Sequence, residues 1–199
     1  MKIDLRKFPT FYINMDKHQD RNTDMIKLGK DVGFNQYSRF SGIAMPKQPM
    51  AGCAKSHYGI LENMSSPTII LEDDCVIKND SYVFEIPDDT DALYLGLSGW
   101  GFLNSESKLN NFSYQKHTDF SGIYKINGML ATHAILYISP EYIELSKKIA
   151  KWSGDNNQHI DQGFALVQKY FNVYALKKPV FYQHSNTAST NIILRGMNG

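Results

Sequence analysis

One hydrophobic run constrains this chain more than any other feature: Thr68-Ile69-Ile70-Leu71 passes without a break into Glu72-Asp73-Asp74. A short β-branched run of this kind, stopped upstream by Ser65-Ser66-Pro67, reads as a buried strand. Three adjacent carboxylates at its end repel one another and lose hydration, so they persist when exposed, neutralised or holding a cation. Successive strand residues point to opposite faces, which sends Glu72 and Asp74 one way and Asp73 the other. Two carboxylates on one edge, with phosphate oxygens and water, suit Mg²⁺ or Mn²⁺. The ordinary alternative is that the acids solvate a turn.

The rest of the chain supplies a setting for such a strand. Residues 8–15 form a β-rich run followed by a polar cluster, after which Met25, Ile26, Leu28 and Val32 recur at near-helical spacing. Residues 51–64 place Ala54, Tyr58 and Leu61 on one face of a second helix. Residues 91–97 read as another buried strand, and 134–138 as a third. Ser139-Pro140 then predicts a capped helix start, with the helix running to about Trp152. A further helix is expected over 161–170, with late strands at 173–176 and 180–182. Strands alternating with helices imply an α/β layer fold with a mostly parallel sheet, in which ligands gather beyond the carboxyl ends of the strands. Residues 98–128 lack a sustained period and are expected to form long loops or short edge hairpins over a site.

Bulk properties narrow the function classes. The chain has 199 residues and 42% hydrophobic content, enough for one core, so a single domain over 1–199 is expected. Within it, residues 1–97 would form one part and 98–199 a second, loop-containing part. The 21 Lys and Arg residues against 20 Asp and Glu give no global field suited to nucleic acid or a membrane surface. No signal segment or transmembrane segment is legible, and a cytoplasmic location is expected. Cys53 and Cys75 sit in apolar stretches without a spaced framework, which predicts reduced, partly buried thiols.

Several ordered blocks resemble glycosyltransferase family 25, the group of lipooligosaccharide and procollagen galactosyltransferases. Ile13-Asn14-Met15-Asp16 with Arg21 resembles its opening Ile-Asn-Leu-Asp block, with Met15 in place of the usual leucine. Gly52-Cys53-Ala54-Lys55-Ser56-His57 resembles its Gly-Cys-x-x-Ser-His block, and Leu71-Glu72-Asp73-Asp74 its Leu-Glu-Asp-Asp block. Leu93-Tyr94-Leu95-Gly96, Thr132-His133-Ala134, Ile160-Asp161, and Pro179 with Tyr182-Gln183 follow in the family's order. The resemblance implies a GT-A-like nucleotide-sugar-binding fold, with a mixed, mostly parallel sheet flanked by helices, in which about 1–97 would be the nucleotide-binding part and 98–199 the acceptor part. It also implies an inverting, metal-dependent transfer of a hexose from a nucleotide sugar, a UDP-sugar by expectation.

On that resemblance each block acquires a role beside its ordinary one. Glu72 and Asp74 would hold the metal and Asp73 would assist the nucleotide. Asn14, Asp16 and Arg21 would lie at the nucleotide, although an exposed arginine at a helix start is equally ordinary. Lys55, Ser56 and His57 would contribute donor contacts, with His57 alternatively a hydrogen-bonded core histidine. Asp161 is the expected catalytic base and Asp155 the substitute, against an everyday helix-capping role. His184 would add a third metal ligand if the C-terminal chain folds back, and the tail around Arg195 and Gly196 would order over bound donor. The acceptor stays open between a saccharide, a modified nucleobase and a protein hydroxyl. Two other readings use the same acids: a metal-dependent phosphotransferase or nuclease, and an inactive nucleotide-sugar-binding module.

Overall fold

The computed structural model describes residues 1–65, 67–97, 102–103, 109–110, 114–116 and 120–183. In chain order these form β1 (Lys2–Asp4), a 3-10 turn (Leu5–Lys7), β2 (Thr10–Asn14), α1 (Gln19–Val32), β3 (Tyr37–Ser41), α2 (Pro49–Leu61) and β4 (Thr68–Glu72). There follow β5 (Cys75–Ile77), β6 (Val83–Glu85), β7 (Ala92–Tyr94), β8 (Phe102–Leu103), β9 (Leu109–Asn110), β10 (Tyr114–Lys116), β11 (Ile123–Ile126) and β12 (Ala134–Tyr137). The last elements are α3 (Pro140–Asn156), α4 (Ile160–Gln168), β13 (Val173–Leu176) and β14 (Phe181–Gln183).

Eight strands make the main sheet in the order β10-β11-β13-β7-β12-β4-β2-β3. The pairings β3 with β2, β2 with β4 and β7 with β13 are parallel, while β12 runs antiparallel to both β4 and β7. This is a mixed α/β sheet flanked by helices. The period-2 pattern of the central strands divides their side chains between two cores. Ile70, Tyr94, Ile135 and Val173 pack with α2, α3 and α4 residues such as Ala54, Tyr142 and Phe164. Ile69, Leu71, Leu93, Leu136 and Tyr174 pack on the other face with Met25, Leu28 and Val32 of α1. Such strands, apolar on both sides, are those of a sheet covered by helices on both faces.

Local chemistry sets several boundaries. Ser139 Oγ accepts from the Tyr142 amide and Pro140 opens α3, as its sequence predicts. Gly33 ends α1 in the left-handed conformation at φ 78°, open to glycine without a Cβ penalty. The region expected as loops or edge hairpins contains two antiparallel pairs, β8 with β9 and β10 with β11, the latter at the sheet edge. Both thiols are free, with Cys53 exposed and Cys75 buried. Among the described residues no helix is long and apolar enough to cross a membrane.

One topological detail decides where a ligand can bind. From β2 the chain passes through α1 to β3 on one side, then through α2 to β4 on the other. The connections leave in opposite directions, and a crevice opens beyond the carboxyl ends of β2 and β4.

Candidate active site

That crevice is a cavity of about 460 Å³. Ile13 and Met15 from the end of β2, Glu72, Asp73 and Asp74 from the end of β4, and Gly52, Cys53, Ser56 and His57 from α2 line it. The apolar loop Ile43-Ala44-Met45-Pro46 forms a further wall, and Lys17 and Arg21 also line the cavity. Gly52 lets that loop lie directly on α2, since a Cβ there would stand 2.6 Å from the Ile43 carbonyl oxygen. Ser56 Oγ accepts from the Ile43 amide at 2.8 Å and donates to the Gly52 carbonyl at 2.7 Å, which pins loop to helix.

The three acids part company as the strand period predicts. Asp73 turns toward α1 and receives hydrogen bonds from Asn14 Nδ2 at 2.8 Å and Arg21 NH1 at 2.9 Å. Asn14 is fully buried and spends its other polar contacts on the His18 carbonyl and on Arg39. It therefore ties β2, β3 and the acidic turn together. Asp16 accepts from Arg39 and from Ser41 Oγ, a pairing that holds its carboxyl below the usual range. Arg39 was not singled out by sequence, because nothing in its local pattern announces a partner 23 residues upstream.

Glu72 turns toward α2. Its Oε1 accepts from Thr132 Oγ1 at 2.6 Å and lies 3.1 Å from Nε2 of the buried His57. Burial opposes its charge, yet the bonds to His57 and Thr132 hold its carboxyl below the ordinary range. Asp74 is the opposite case: its Oδ2 accepts from Gln183 Nε2 at 3.0 Å, while Oδ1 is shut off from solvent with no partner among the described residues. Burial, followed by the charge of Glu72, pushes the Asp74 carboxyl up to about 7. A buried, unpartnered carboxylate oxygen beside a second carboxylate is a site that gains from a cation.

A second, smaller cavity of about 140 Å³ adjoins the first and shares Cys53 and Glu72 with it. Asp161 and His159 line it from the start of α4, with Thr132, Ala131 and Gln183 opposite. Asp161 Oδ2 accepts from the Ala131 amide at 3.3 Å. Ala131 holds φ at 85°, a conformation costly for a residue with a Cβ, and such strain gathers where a site must be shaped. His133 beside it is buried, and burial lowers its pKa. Gly96 makes room for it, since a Cβ there would meet His133 Nε2 at 2.0 Å. The backbone carbonyl of His133 in turn accepts from the Glu72 amide at 2.8 Å.

Thus Asn14, Arg21, Ser56, His57, Glu72, Asp73 and Asp74 converge on one cavity or its immediate support, and Asp161 lies on the adjoining one. Asp16 stands at the rim, bound to Arg39 and Ser41. Lys55 and Asp155 line neither cavity. The Lys55 chain packs against Gly154 of α3, and Asp155 is exposed and paired with Lys151 at 2.7 Å. His184 and the tail lie outside the described residues. Lys17, Thr132 and Gln183 reach the two cavities without having been assigned a role from sequence; only Thr132 and Gln183 carried a signal, as members of the quoted blocks.

No protein-family model matches the sequence, and no curated protein matches it. Among solved structures, the chain is similar to a nucleoside-diphosphate-sugar pyrophosphorylase from Vibrio cholerae RC9, at 10% identity with a TM-score of 0.50. The match covers 96% of this chain and 82% of that one. At that identity the likeness concerns the fold: a mixed α/β sheet, here carrying a carboxylate-lined cavity at its strand ends.

Proposed function

We propose that this protein is a divalent-cation-dependent glycosyltransferase that moves a hexose from a nucleoside-diphosphate sugar to an acceptor hydroxyl with inversion. The reading joins the ordered resemblance to glycosyltransferase family 25 and its GT-A-like fold to one observation. Asp74 Oδ1 is buried and unpartnered among the described residues, and Asp74 and Glu72 both line a cavity of about 460 Å³. A volume of that size suits a nucleotide sugar. The structural neighbour, a nucleoside-diphosphate-sugar pyrophosphorylase, is named for chemistry on the same class of compound.

Asp74 and Glu72 would hold Mn²⁺ or Mg²⁺, which in such a site offsets charge growing on the leaving diphosphate. Asp73, with both oxygens engaged, anchors Arg21 at the cavity wall and fixes the acidic turn. Arg21 and Lys17 face the anionic donor, while the loop of Ile43, Ala44, Met45 and Pro46 offers an apolar wall for its base. Asp161 takes the acceptor proton from the smaller cavity. The acceptor oxygen then attacks the anomeric carbon as the bond to the diphosphate breaks with its electron pair. Asp155 is too far removed in the fold to be the first choice for that task. A saccharide acceptor fits a small cavity lined by Thr132, His159, Asp161 and Gln183; a modified nucleobase or a protein hydroxyl are the other candidates.

The neighbour's name motivates a second reading, nucleotidyl transfer from a nucleoside triphosphate to a sugar phosphate. Incubation with Mn²⁺ and a panel of nucleotide sugars separates the two. Slow release of nucleoside diphosphate and free sugar is expected. Release of pyrophosphate from a triphosphate with sugar phosphate, and no turnover of any nucleotide sugar, would overturn the proposal.

A further inference from the structure

Where the two cavities meet there is a second donor set, which has only Glu72 in common with the acidic turn and adds sulfur and imidazole nitrogen to it. Cys53 and His57 stand four residues apart on α2, so they project from one face a turn apart. Glu72 arrives opposite them from the end of β4. One ligand atom from each of the three lies within 4.8 Å of the other two. In a tetrahedral site with bonds of about 2.3 Å to sulfur and about 2.0 Å to nitrogen and oxygen, ligand atoms stand roughly 3.3–3.5 Å apart. Side-chain rotation closes that difference, because His57 Nε2 is already 3.1 Å from Glu72 Oε1.

The elements named by this set differ from those of the acidic turn. Oxygen ligands attract Mg²⁺ and Mn²⁺, whereas sulfur and imidazole nitrogen favour Zn²⁺. The other cysteine does not compete, since Cys75 is buried and its thiol donates to the His133 carbonyl at 2.9 Å. Cys53 opens on both cavities, which gives an ion a path from solvent and leaves room for water.

We propose that Cys53, His57 and Glu72 form a three-ligand zinc site whose fourth position faces the cavity. Binding exchanges the thiol proton for the metal and forms a zinc–sulfur bond, with the proton released to solvent. Because the metal displaces the thiol proton, affinity falls as the pH is lowered. His57 gives up its hydrogen bond to Glu72 and both ligate the ion instead. The site shares Glu72 with the proposed Mn²⁺ or Mg²⁺ site, so an ion held here draws that carboxylate away from Asp74; its signature is the sulfur ligand from Cys53, which is read whether or not the chain transfers a hexose.

Cobalt(II) is the probe, because a thiolate ligand gives it a near-ultraviolet charge-transfer band that oxygen ligands do not. Titrating Co²⁺ into the full chain should produce the band, and Zn²⁺ should abolish it. The band should be lost in Cys53→Ser and retained in Cys75→Ala, with circular dichroism confirming that each variant is folded. A folded wild-type protein that gives no band, or a band that persists in Cys53→Ser, would overturn the site.

Discussion

Replacing Asp74 by Asn should make the metal-free protein more stable and at the same time destroy its metal-dependent affinity for nucleotide. The carboxyl sits at about 7 instead of 3.8, chiefly through burial and then through the neighbouring charge of Glu72. The folded protein therefore keeps the Asp74 proton up to about pH 7, while the unfolded chain releases it near 3.8. Stability consequently declines as pH rises through that window, and the full penalty remains above it. At about 1.4 kcal/mol per tenfold, the penalty approaches 4 kcal/mol at pH 8 and about 2 kcal/mol at pH 5. Asparagine keeps the shape, accepts from Gln183 through its carbonyl and carries no charge to bury. Each kcal/mol moves the melting temperature of a chain this size by roughly 2–4 °C. Calorimetry in the presence of chelator should show the variant melting several degrees above the parent at pH 8, with the gap shrinking toward pH 5. Mn²⁺ with nucleoside diphosphate should raise the melting temperature of the parent alone. An Asn variant no more stable than the parent at pH 8, or one still binding nucleotide with Mn²⁺, would refute the reasoning and leave the acids as solvation for a turn. Gain in stability with loss of function is the pattern of a group held at a cost for chemistry.

Further expectations test the separate parts. Asp161→Asn should lower the transfer rate about 10²–10⁴-fold while leaving nucleotide affinity in place, whereas Asp155→Ala should change neither, because its pair with Lys151 is exposed and lies away from both cavities; steady-state kinetics and calorimetric titration compare them. Lys17→Ala should weaken nucleotide binding most at low salt, measured by titrations across ionic strength, since its contribution is that of an exposed cation. Gly52→Ala places a methyl 2.6 Å from the Ile43 carbonyl and should cost about 1–3 kcal/mol as loop and helix part, read as a lower melting temperature together with weaker nucleotide binding.

Much of this was legible in the sequence where the signal is local. Ser139-Pro140 states the start of α3 because a hydroxyl and a ring of fixed φ act within one turn. The run from Thr68 to Glu72 states a buried strand, and its period of two already sends Asp73 away from Glu72. The strand β3 was missed: Tyr37–Ser41 carries Ser, Arg and Ser, and it becomes a strand by pairing with β2 at the sheet edge. The short β1, β5 and β6 were missed for the same reason, since each depends on a partner distant in sequence.

What tertiary structure alone decided is which acid is strained and which is satisfied. Glu72 and Asp74 are alike in sequence, two carboxylates on one edge of a strand. Thr132 and His57 come from remote segments to satisfy the first, while Gln183 satisfies only one oxygen of the second. The switch in chain direction between β2 and β4 opens the crevice, and the strained turn at Ala131 sets Asp161 on its neighbouring cavity. A residue's chemical type is written in its own letter, but its protonation, burial and partners depend on low-dielectric contacts between segments that the chain order leaves far apart.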